Sequence, residues 1–190
     1  MEEKVRDMKT YLPQTWIDPR IEFRTSRISG NGMFAREPIQ KGEAVCIVGG
    51  TVMTDSEFAA FQAIHQNYNS IQIDDHLHLV EDPQVTRTLE GSMNHSCDSS
   101  TWMGDDATLV ARWDLEPGEE ATVDYALFTT QSNWMLDRRC RCGSPHCRRI
   151  ITGDDWRRKE VQERYRKHFS PFINRRIENY DELSYQDEPE

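Results

Sequence analysis

The chain has 190 residues, of which 36% are apolar and 29% are charged, with five tryptophans, so it can build one hydrophobic core. No stretch approaches the roughly 18 apolar residues that a membrane span needs, and no secretion signal opens the chain, so we expect a soluble, intracellular protein. The net charge of −10 argues against direct nucleic-acid binding, which neutralises phosphates with Lys and Arg, and favours a basic protein or peptide partner.

The N-terminal part of the chain mixes charged residues with aromatic ones and shows no clear period, so residues 1–18 are expected to form an arm that packs late or frays. Further along, short apolar or β-branched runs between Gly, Pro, Asn and Asp predict strands. These runs cover 21–23, 44–48, 70–73, 76–80, 108–112 and 121–125. Many short strands without a βαβ pattern predict an α+β fold that is mostly β.

One helix is predicted after Thr54, because Glu57 three residues on has the spacing of a capping box. This helix is expected to end at Asn67 and to carry three apolar side chains on one face, those of Phe58, Phe61 and Ile64.

A second helix is predicted from about Asp154 up to the dipeptide 170–171 (SP). Val161, Tyr165 and Phe169 recur in it at four-residue intervals, which indicates a buried face. Residues 181–190 hold five acidic residues and no Lys or Arg, so we expect this tail to be disordered.

Three cysteines share one short stretch with glycine and proline, namely Cys140, Cys142 and Cys147. Thiolates at this spacing suit a tetrahedral zinc ion, which needs a fourth ligand. Spacing leaves Cys97, His146 and Cys46 as candidates, although Cys97 lies in a polar, loop-like stretch and Cys46 in an apolar strand. Disulfides are the rival interpretation, and the missing secretion signal argues against them.

Five motifs follow one another in the chain: 29–35 (SGNGMFA), 39–43 (IQKGE), 93–98 (MNHSCD), 117–125 (PGEEATVDY) and 140–147 (CRCGSPHC). Together they resemble the SET-domain protein-lysine methyltransferases that carry a post-SET zinc-binding segment. The resemblance implies a SET fold of several short sheets with a knot-like C-terminal threading, a zinc-binding post-SET segment and C-terminal helices. The implied organisation is an N-terminal arm (1–20), a SET domain (21–137), a post-SET zinc segment with C-terminal helices (138–180) and the acidic tail (181–190).

The resemblance also implies residue roles. S-adenosylmethionine would be the methyl donor, bound by Ser29, Gly30, Asn31, Gly32, Asn94 and His95. Tyr125 would be the catalytic residue that aligns the methyl group with the lysine amine. Cys97 would be the fourth ligand of a structural zinc ion. From the residues alone, His95 could equally be a metal ligand beside Cys97 or a core histidine.

Val48 departs from the family, because many members have a channel tyrosine at this position. We therefore predict a substrate channel that includes Val48 and Tyr68. Two other functions are considered: a SET-like module that binds a protein without methylating it, and a small-molecule enzyme, which only Val48 favours. The joint presence of the glycine turn (Gly30, Asn31 and Gly32), Asn94, His95 and Tyr125 argues against the binding module.

Overall fold

Short strands dominate the protein in a computed structural model that describes residues 9–66, 68–86 and 92–186. The strands are β1 (Trp16–Ile17), β2 (Ile21–Thr25), β3 (Asn31–Ala35), β4 (Ala44–Ile47), β5 (Thr51–Thr54), β6 (Ser70–Asp74), β7 (Leu77–Val80), β8 (Asn94–His95), β9 (Thr101–Met103), β10 (Thr108–Ala111) and β11 (Glu120–Val123). The α-helices are α1 (Asp55–Gln62), α2 (Pro83–Thr86), α3 (Lys159–Arg164) and α4 (Pro171–Gln186), and 3₁₀ turns lie at Tyr125–Leu127 and Asp155–Arg157. The prediction of a mostly β fold with few helices is confirmed.

The strands form three small sheets, with the orders β1-β4-β10-β9, β2-β3-β11-β8 and β5-β7-β6. Most neighbours are antiparallel, but β8 and β11 are parallel, with Asn94 opposite Thr122 and His95 opposite Val123. This pairing places the 94–95 motif beside the strand that leads into Tyr125. The knot-like threading of the C-terminal part stays a prediction.

The helices after the cysteine stretch belong to the same core as the sheets. Tyr165, Phe169 and Phe172 are buried and belong to the same hydrophobic cluster as Leu79 of β7, Leu115 and residues of the sheets. The backbone N–H of Ser170 donates to the carbonyl of Leu127 at 2.7 Å. None of the helices within the described ranges is both long and apolar enough to cross a bilayer.

Residues 9–17 of the expected N-terminal arm are packed rather than frayed. β1 pairs with β4, and the N–H of Gly50 donates to the carbonyl of Leu12 at 2.8 Å. A Cβ on Gly49 would lie 2.3 Å from the Gln14 carbonyl oxygen, so only glycine allows this close approach. Residues 1–8 lie outside the described residues.

The capping box before α1 is confirmed. Thr54 Oγ1 accepts from the N–H of Glu57, and Glu57 Oε2 accepts from the N–H of Thr54 at 2.8 Å. The helix ends earlier than predicted, at Gln62, so Ile64 lies beyond it and is 77% exposed instead of sharing the buried face of Phe58. Asn67, the predicted end, lies outside the described residues.

The prediction of a single helix from 154 to 169 is wrong. Arg158 is extended, with ψ 127°, and separates the 3₁₀ turn from α3, while Lys167 has a φ of +65° that no helix continues through. Val161, Tyr165 and Phe169 are nevertheless buried as predicted.

The resemblance implied C-terminal helices up to residue 180, but the residue pattern did not predict a helix at Pro171–Gln186, because Pro171 was interpreted as a stop. Proline lacks the N–H that a helix leaves unbonded in its first turn, so it suits a helix start equally well. α4 continues through residues 181–186, which were expected to be disordered, because adding a residue to an existing helix costs less than starting one. Residues 187–190 lie outside the described residues.

Candidate active site and cysteine cluster

Four cysteine sulfurs converge although one is far from the others in the chain. The Sγ atoms of Cys97, Cys140, Cys142 and Cys147 all lie within 4.8 Å of one another. Zinc–sulfur bonds of about 2.3 Å in a tetrahedron put the sulfurs about 3.8 Å apart, so this cluster could bind zinc. All five cysteines of the chain are free thiols in the structure, without disulfides.

The other two candidates for the fourth ligand are elsewhere. His146 is exposed on the same stretch and is not among the clustered ligand atoms. Cys46 lies in β4 within the main hydrophobic core, where burial raises the pKa of its thiol to about 12. Of the three candidates, Cys97 is the one whose sulfur lies with those of Cys140, Cys142 and Cys147.

Contacts among the thiols shift their pKa values in opposite directions. Hydrogen bonds with Cys140 and Cys97 hold the pKa of the Cys142 thiol well below its usual range, whereas hydrogen bonds with Cys140 and Cys142 raise the pKa of the Cys97 thiol. The backbone N–H of Arg148, 3.3 Å from Cys97 Sγ, acts in the opposite direction and favours the Cys97 thiolate. Since zinc binds thiolates, metal binding here would release protons and depend on pH.

The side chain of Asn94, in β8, is hydrogen-bonded both to the residue before the glycine turn and to β11. Its Nδ2 donates to the carbonyl of Ser29 at 3.0 Å and to Glu120 Oε1 at 2.8 Å. Both amide hydrogens are thus used within the protein, which leaves the side-chain oxygen as an acceptor for a ligand.

Glu120 is a positioning residue that the sequence analysis did not single out. Besides Asn94 it binds Ser26, whose hydroxyl donates to Oε2 at 2.8 Å. A Cβ on Gly32 would lie 2.1 Å from Glu120 Oε1, so this glycine is required for the carboxylate to sit there. The structure shows that Glu120 positions Asn94, because its carboxylate is half-buried at the start of β11 beside the buried Gly32.

His95 lies between Tyr125 and the cysteine cluster and is only 3% exposed. Its Nδ1 accepts from the backbone N–H of Tyr125 at 3.2 Å, and its Nε2 is 3.3 Å from Cys97 Sγ. Burial lowers the pKa of the imidazole, against the opposing pull of Asp124, so the ring is neutral at pH 7. His95 is a buried histidine whose two ring nitrogens are both hydrogen-bonded. It is not among the four residues whose ligand atoms cluster, all of which are cysteines.

A buried ion-pair network joins Asp124 to the cysteine stretch. The two terminal guanidinium nitrogens of Arg148 each donate to Asp124 at 2.7 Å, while its Nε donates to Asp155 at 2.8 Å. Asp124 also caps the turn after it by accepting from the N–H of Ala126 at 3.1 Å. Arg148 and Asp155 could not be identified from the sequence, because no motif relates Arg148 to Asp124, 24 residues before it, or to Asp155, seven residues after it.

Tyr125 lines two cavities. The smaller one, of about 20 Å³, lies between residues 28–29, which precede the glycine turn, and the segment 136–141. Its lining residues are Ile28, Ser29, Asn94, His95, Tyr125, Leu136, Arg138, Arg139, Cys140 and Arg141. Gly30 and Asn31 are exposed and do not line this cavity. Gly32 is buried and acts indirectly, because its missing side chain leaves room for the Glu120 carboxylate that binds Asn94.

The larger cavity, of about 310 Å³, lies on the α1 side of Tyr125. Its lining residues are Phe58, Gln62, Gln66, Tyr68, Ser70, Gln72, His78, Tyr125, Phe128, Thr129, Gln131 and Trp134. The structure therefore brings Tyr68 and Tyr125 to one cavity. Val48 does not line it: its side chain lies in the main core, and its N–H donates to the carbonyl of Ala107 at 2.9 Å.

The Tyr125 hydroxyl is lightly held. It lies 3.5 Å from the carbonyl oxygen of Met93, at the limit of a hydrogen bond, while the ring packs against His95, Phe128 and Trp134 with centroids 5.0, 5.9 and 5.8 Å away. Burial raises the pKa of this phenol, so it is protonated at pH 7 and can donate to a ligand.

A family model described as "SET domain" matches residues 30–126. The chain is 30% identical over 176 residues to the histone-lysine N-methyltransferase ash1 of Drosophila melanogaster, and 29% identical over 159 residues to the histone-lysine N-methyltransferase ATX2 of Arabidopsis thaliana. These matches cover 84% and 75% of this chain. The chain spans only 7% of the length of the first relative and 14% of the second.

A third relative is a histone-lysine N-methyltransferase of Cryptococcus neoformans whose name gives it as specific for lysine 4 of histone H3. It is 30% identical over 142 residues, which are 68% of this chain and 9% of that protein. The family match covers the glycine turn, Asn94, His95, Cys97 and Tyr125, whereas the stretch with the other three clustered cysteines lies beyond it.

Proposed function

This chain belongs to the SET-domain family, and from that premise we propose that it transfers a methyl group from S-adenosylmethionine to the side-chain amine of a lysine in a protein. The observation that carries the proposal is the position of Tyr125 between two cavities. A cofactor on one side and a lysine on the other would meet at this residue, and holding two reactants in line can lower a barrier by several kcal/mol.

The smaller cavity suits the cofactor chemically. The Asn94 side-chain oxygen can accept from its amino group, the turn 29–32 offers backbone groups, and arginines 138, 139 and 141 complement its carboxylate. The 20 Å³ of free space holds about one water molecule, so binding of the whole cofactor there would require the cavity lining to open further. When bound, S-adenosylmethionine supplies an electrophilic methyl group on a sulfonium.

The larger cavity would take the lysine side chain. A lysine amine has an ordinary pKa near 10.4, so most of it carries a proton at pH 7 and cannot attack. The described lining offers aromatic, amide and hydroxyl groups but no carboxylate that would stabilise the ammonium, and removal from water lowers the amine pKa further. Tyr125, protonated because burial raises its pKa, then orients the amine and does not act as a base.

The four-cysteine cluster would hold a structural zinc ion, with Cys97 joining the active-site loop to the stretch 140–147. The names of the relatives support histones as candidate substrates. Histone tails are basic, which suits a chain of net charge −10. Because the described lining of the larger cavity has no acidic residue, this attraction would act outside it.

A binding and transfer experiment tests the proposal. Purified protein is dialysed against labelled S-adenosylmethionine to measure binding, and then incubated with the labelled cofactor on an array of lysine-containing peptides. Label on lysine peptides supports the proposal. Binding of the cofactor without transfer to any peptide or histone would favour the protein-binding module, and transfer only to small molecules would favour the third alternative.

A further inference from the structure

The imidazole of His95 connects the cysteine cluster with the backbone at Tyr125, and both of its nitrogens are used in this connection. Nδ1 is 3.2 Å from the Tyr125 nitrogen, and Nε2 is 3.3 Å from Cys97 Sγ. A backbone N–H can only donate, so Nδ1 must be the acceptor and the proton of the neutral ring lies on Nε2. Nε2–H therefore points at the sulfur of a clustered cysteine.

The alternative partner of Nδ1 is Asp124, whose Oδ1 is 3.8 Å away and too distant for a hydrogen bond. That carboxylate already accepts from both terminal nitrogens of Arg148 and from the N–H of Ala126. The tautomer with a proton on Nδ1 would also leave the N–H of Tyr125 facing a donor. The surroundings of His95 thus select one tautomer.

Two hydrogen-bonded paths link Cys97 Sγ to Asp124 and Tyr125, at the start of the 3₁₀ turn Tyr125–Leu127. One passes through Nε2 of His95 to the N–H of Tyr125, and the other through Arg148, whose backbone N–H is 3.3 Å from the sulfur and whose guanidinium binds Asp124. Hydrogen-bond donors around a metal-binding thiolate orient the sulfur and partly neutralise its negative charge. Removing one such donor commonly lowers metal affinity about tenfold to a hundredfold.

We infer that His95 is a positioning residue whose Nε2–H fixes the Cys97 thiolate for zinc while its Nδ1 fixes the backbone of Tyr125. This inference rests on the proposed function for its catalytic consequence, because Tyr125 matters only if the site transfers methyl groups. The hydrogen-bond roles themselves stand on the geometry. The side chain of His95 therefore acts through its two neighbours, the Cys97 sulfur and the Tyr125 backbone.

Two substitutions separate the two roles. His95→Asn keeps an oxygen near the position of Nδ1 and loses the donor to Cys97, whereas His95→Gln places an amide N–H near Nε2 and loses the acceptor for Tyr125. We expect His95→Asn to weaken zinc about tenfold or more in a chelator competition while the amide resonance of Tyr125 stays close to its wild-type position. We expect His95→Gln to retain zinc and to shift that resonance, with a fall in kcat and little change in KM.

A histidine with a purely structural role would change both readouts together in both variants, and that result would overturn the inference. His168→Asn, which alters a half-buried histidine stacked on Trp102 at 3.5 Å, is the control and should change neither readout. If the variants fail to fold, the imidazole nitrogen spectrum of the wild-type protein decides: a proton on Nε2 supports the inference and a proton on Nδ1 contradicts it. Zinc affinity, the amide resonance and the tautomer are read without turnover, so failure of the proposed function would leave them interpretable.

Discussion

At the scale of single residues, two tyrosines of the same core have opposite roles. Among the residues that the structure describes, the Tyr125 hydroxyl has one long hydrogen-bond contact, 3.5 Å to the Met93 carbonyl, and Tyr125 lines both cavities. The Tyr165 hydroxyl is fully buried and accepts from the N–H of Ser99 at 3.0 Å. One hydroxyl is therefore available to a substrate and the other is required by the fold.

Replacement of Tyr125 by Phe should lower kcat about a hundredfold, because the amine and the methyl group lose their alignment. The melting temperature should fall by less than about 4 °C, since the lost hydrogen bond is weak and about 1 kcal/mol corresponds to roughly that shift. Tyr165→Phe should show the reverse, with a lower melting temperature and near-normal kcat, because the N–H of Ser99 is left buried without its acceptor. Equal activity of Tyr125→Phe and the wild type would remove this hydroxyl from the mechanism.

The pH dependence of turnover should reflect the lysine and not Tyr125. Burial holds the pKa of Tyr125 above its ordinary value of 10.0, so the phenol keeps its proton as pH rises toward 10, while the substrate amine becomes increasingly neutral. We expect kcat to rise between about pH 7 and pH 9 without a falling limb. A decline in that range that is present in the wild type and absent in Tyr125→Phe would assign a lower pKa to the phenol.

At the scale of elements, the sequence predicted the helix cap and the strands that form from neighbouring residues alone. The α1 cap follows from Thr54 and Glu57 alone, and the runs at 44–48, 70–73 and 108–112 are apolar enough to be strands by themselves. β8 is only two residues long and exists because it pairs with β11, so no pattern within it could reveal it. The same reason explains why β1 was missed.

The cap of α1 offers a stability test at this scale. Thr54→Ala removes the hydroxyl that accepts from the N–H of Glu57, and the free energy of unfolding should fall by about 1 kcal/mol in urea titrations. Thr54→Ser keeps the hydroxyl and should stay close to the wild type. A loss as large in Thr54→Ser as in Thr54→Ala would mean that the methyl group, and not the capping bond, matters.

At the scale of the whole molecule, the candidate active site depends on convergence of segments that are distant in the chain. The motifs could be identified in the sequence, and Cys97, one of the three candidates for the fourth ligand, lies in the four-cysteine cluster. Their connections through Glu120, Arg148 and Asp155 could not, because these hydrogen bonds and ion pairs form only when the chain has folded. The position of Val48 in the core likewise follows from how β4 and its neighbours pack.

The cysteine cluster makes the zinc prediction specific. Elemental analysis of purified protein should give one zinc ion per chain, and Cys142→Ser should release it and lower the melting temperature, since structural zinc contributes folding free energy. Cys46→Ala alters a cysteine of the main core and should keep the zinc. Wild-type protein purified without zinc, at full stability, would contradict the role of the cluster.

Tandem mass spectrometry of core histones after incubation with this protein and S-adenosylmethionine carrying a deuterated methyl group tests the central claim most directly. We predict deuterated methyl groups on the side-chain nitrogen of lysine, nearly absent when Tyr125→Phe replaces the wild type. Histones that stay unlabelled although the wild-type protein binds the cofactor, or label confined to residues other than lysine, would contradict it.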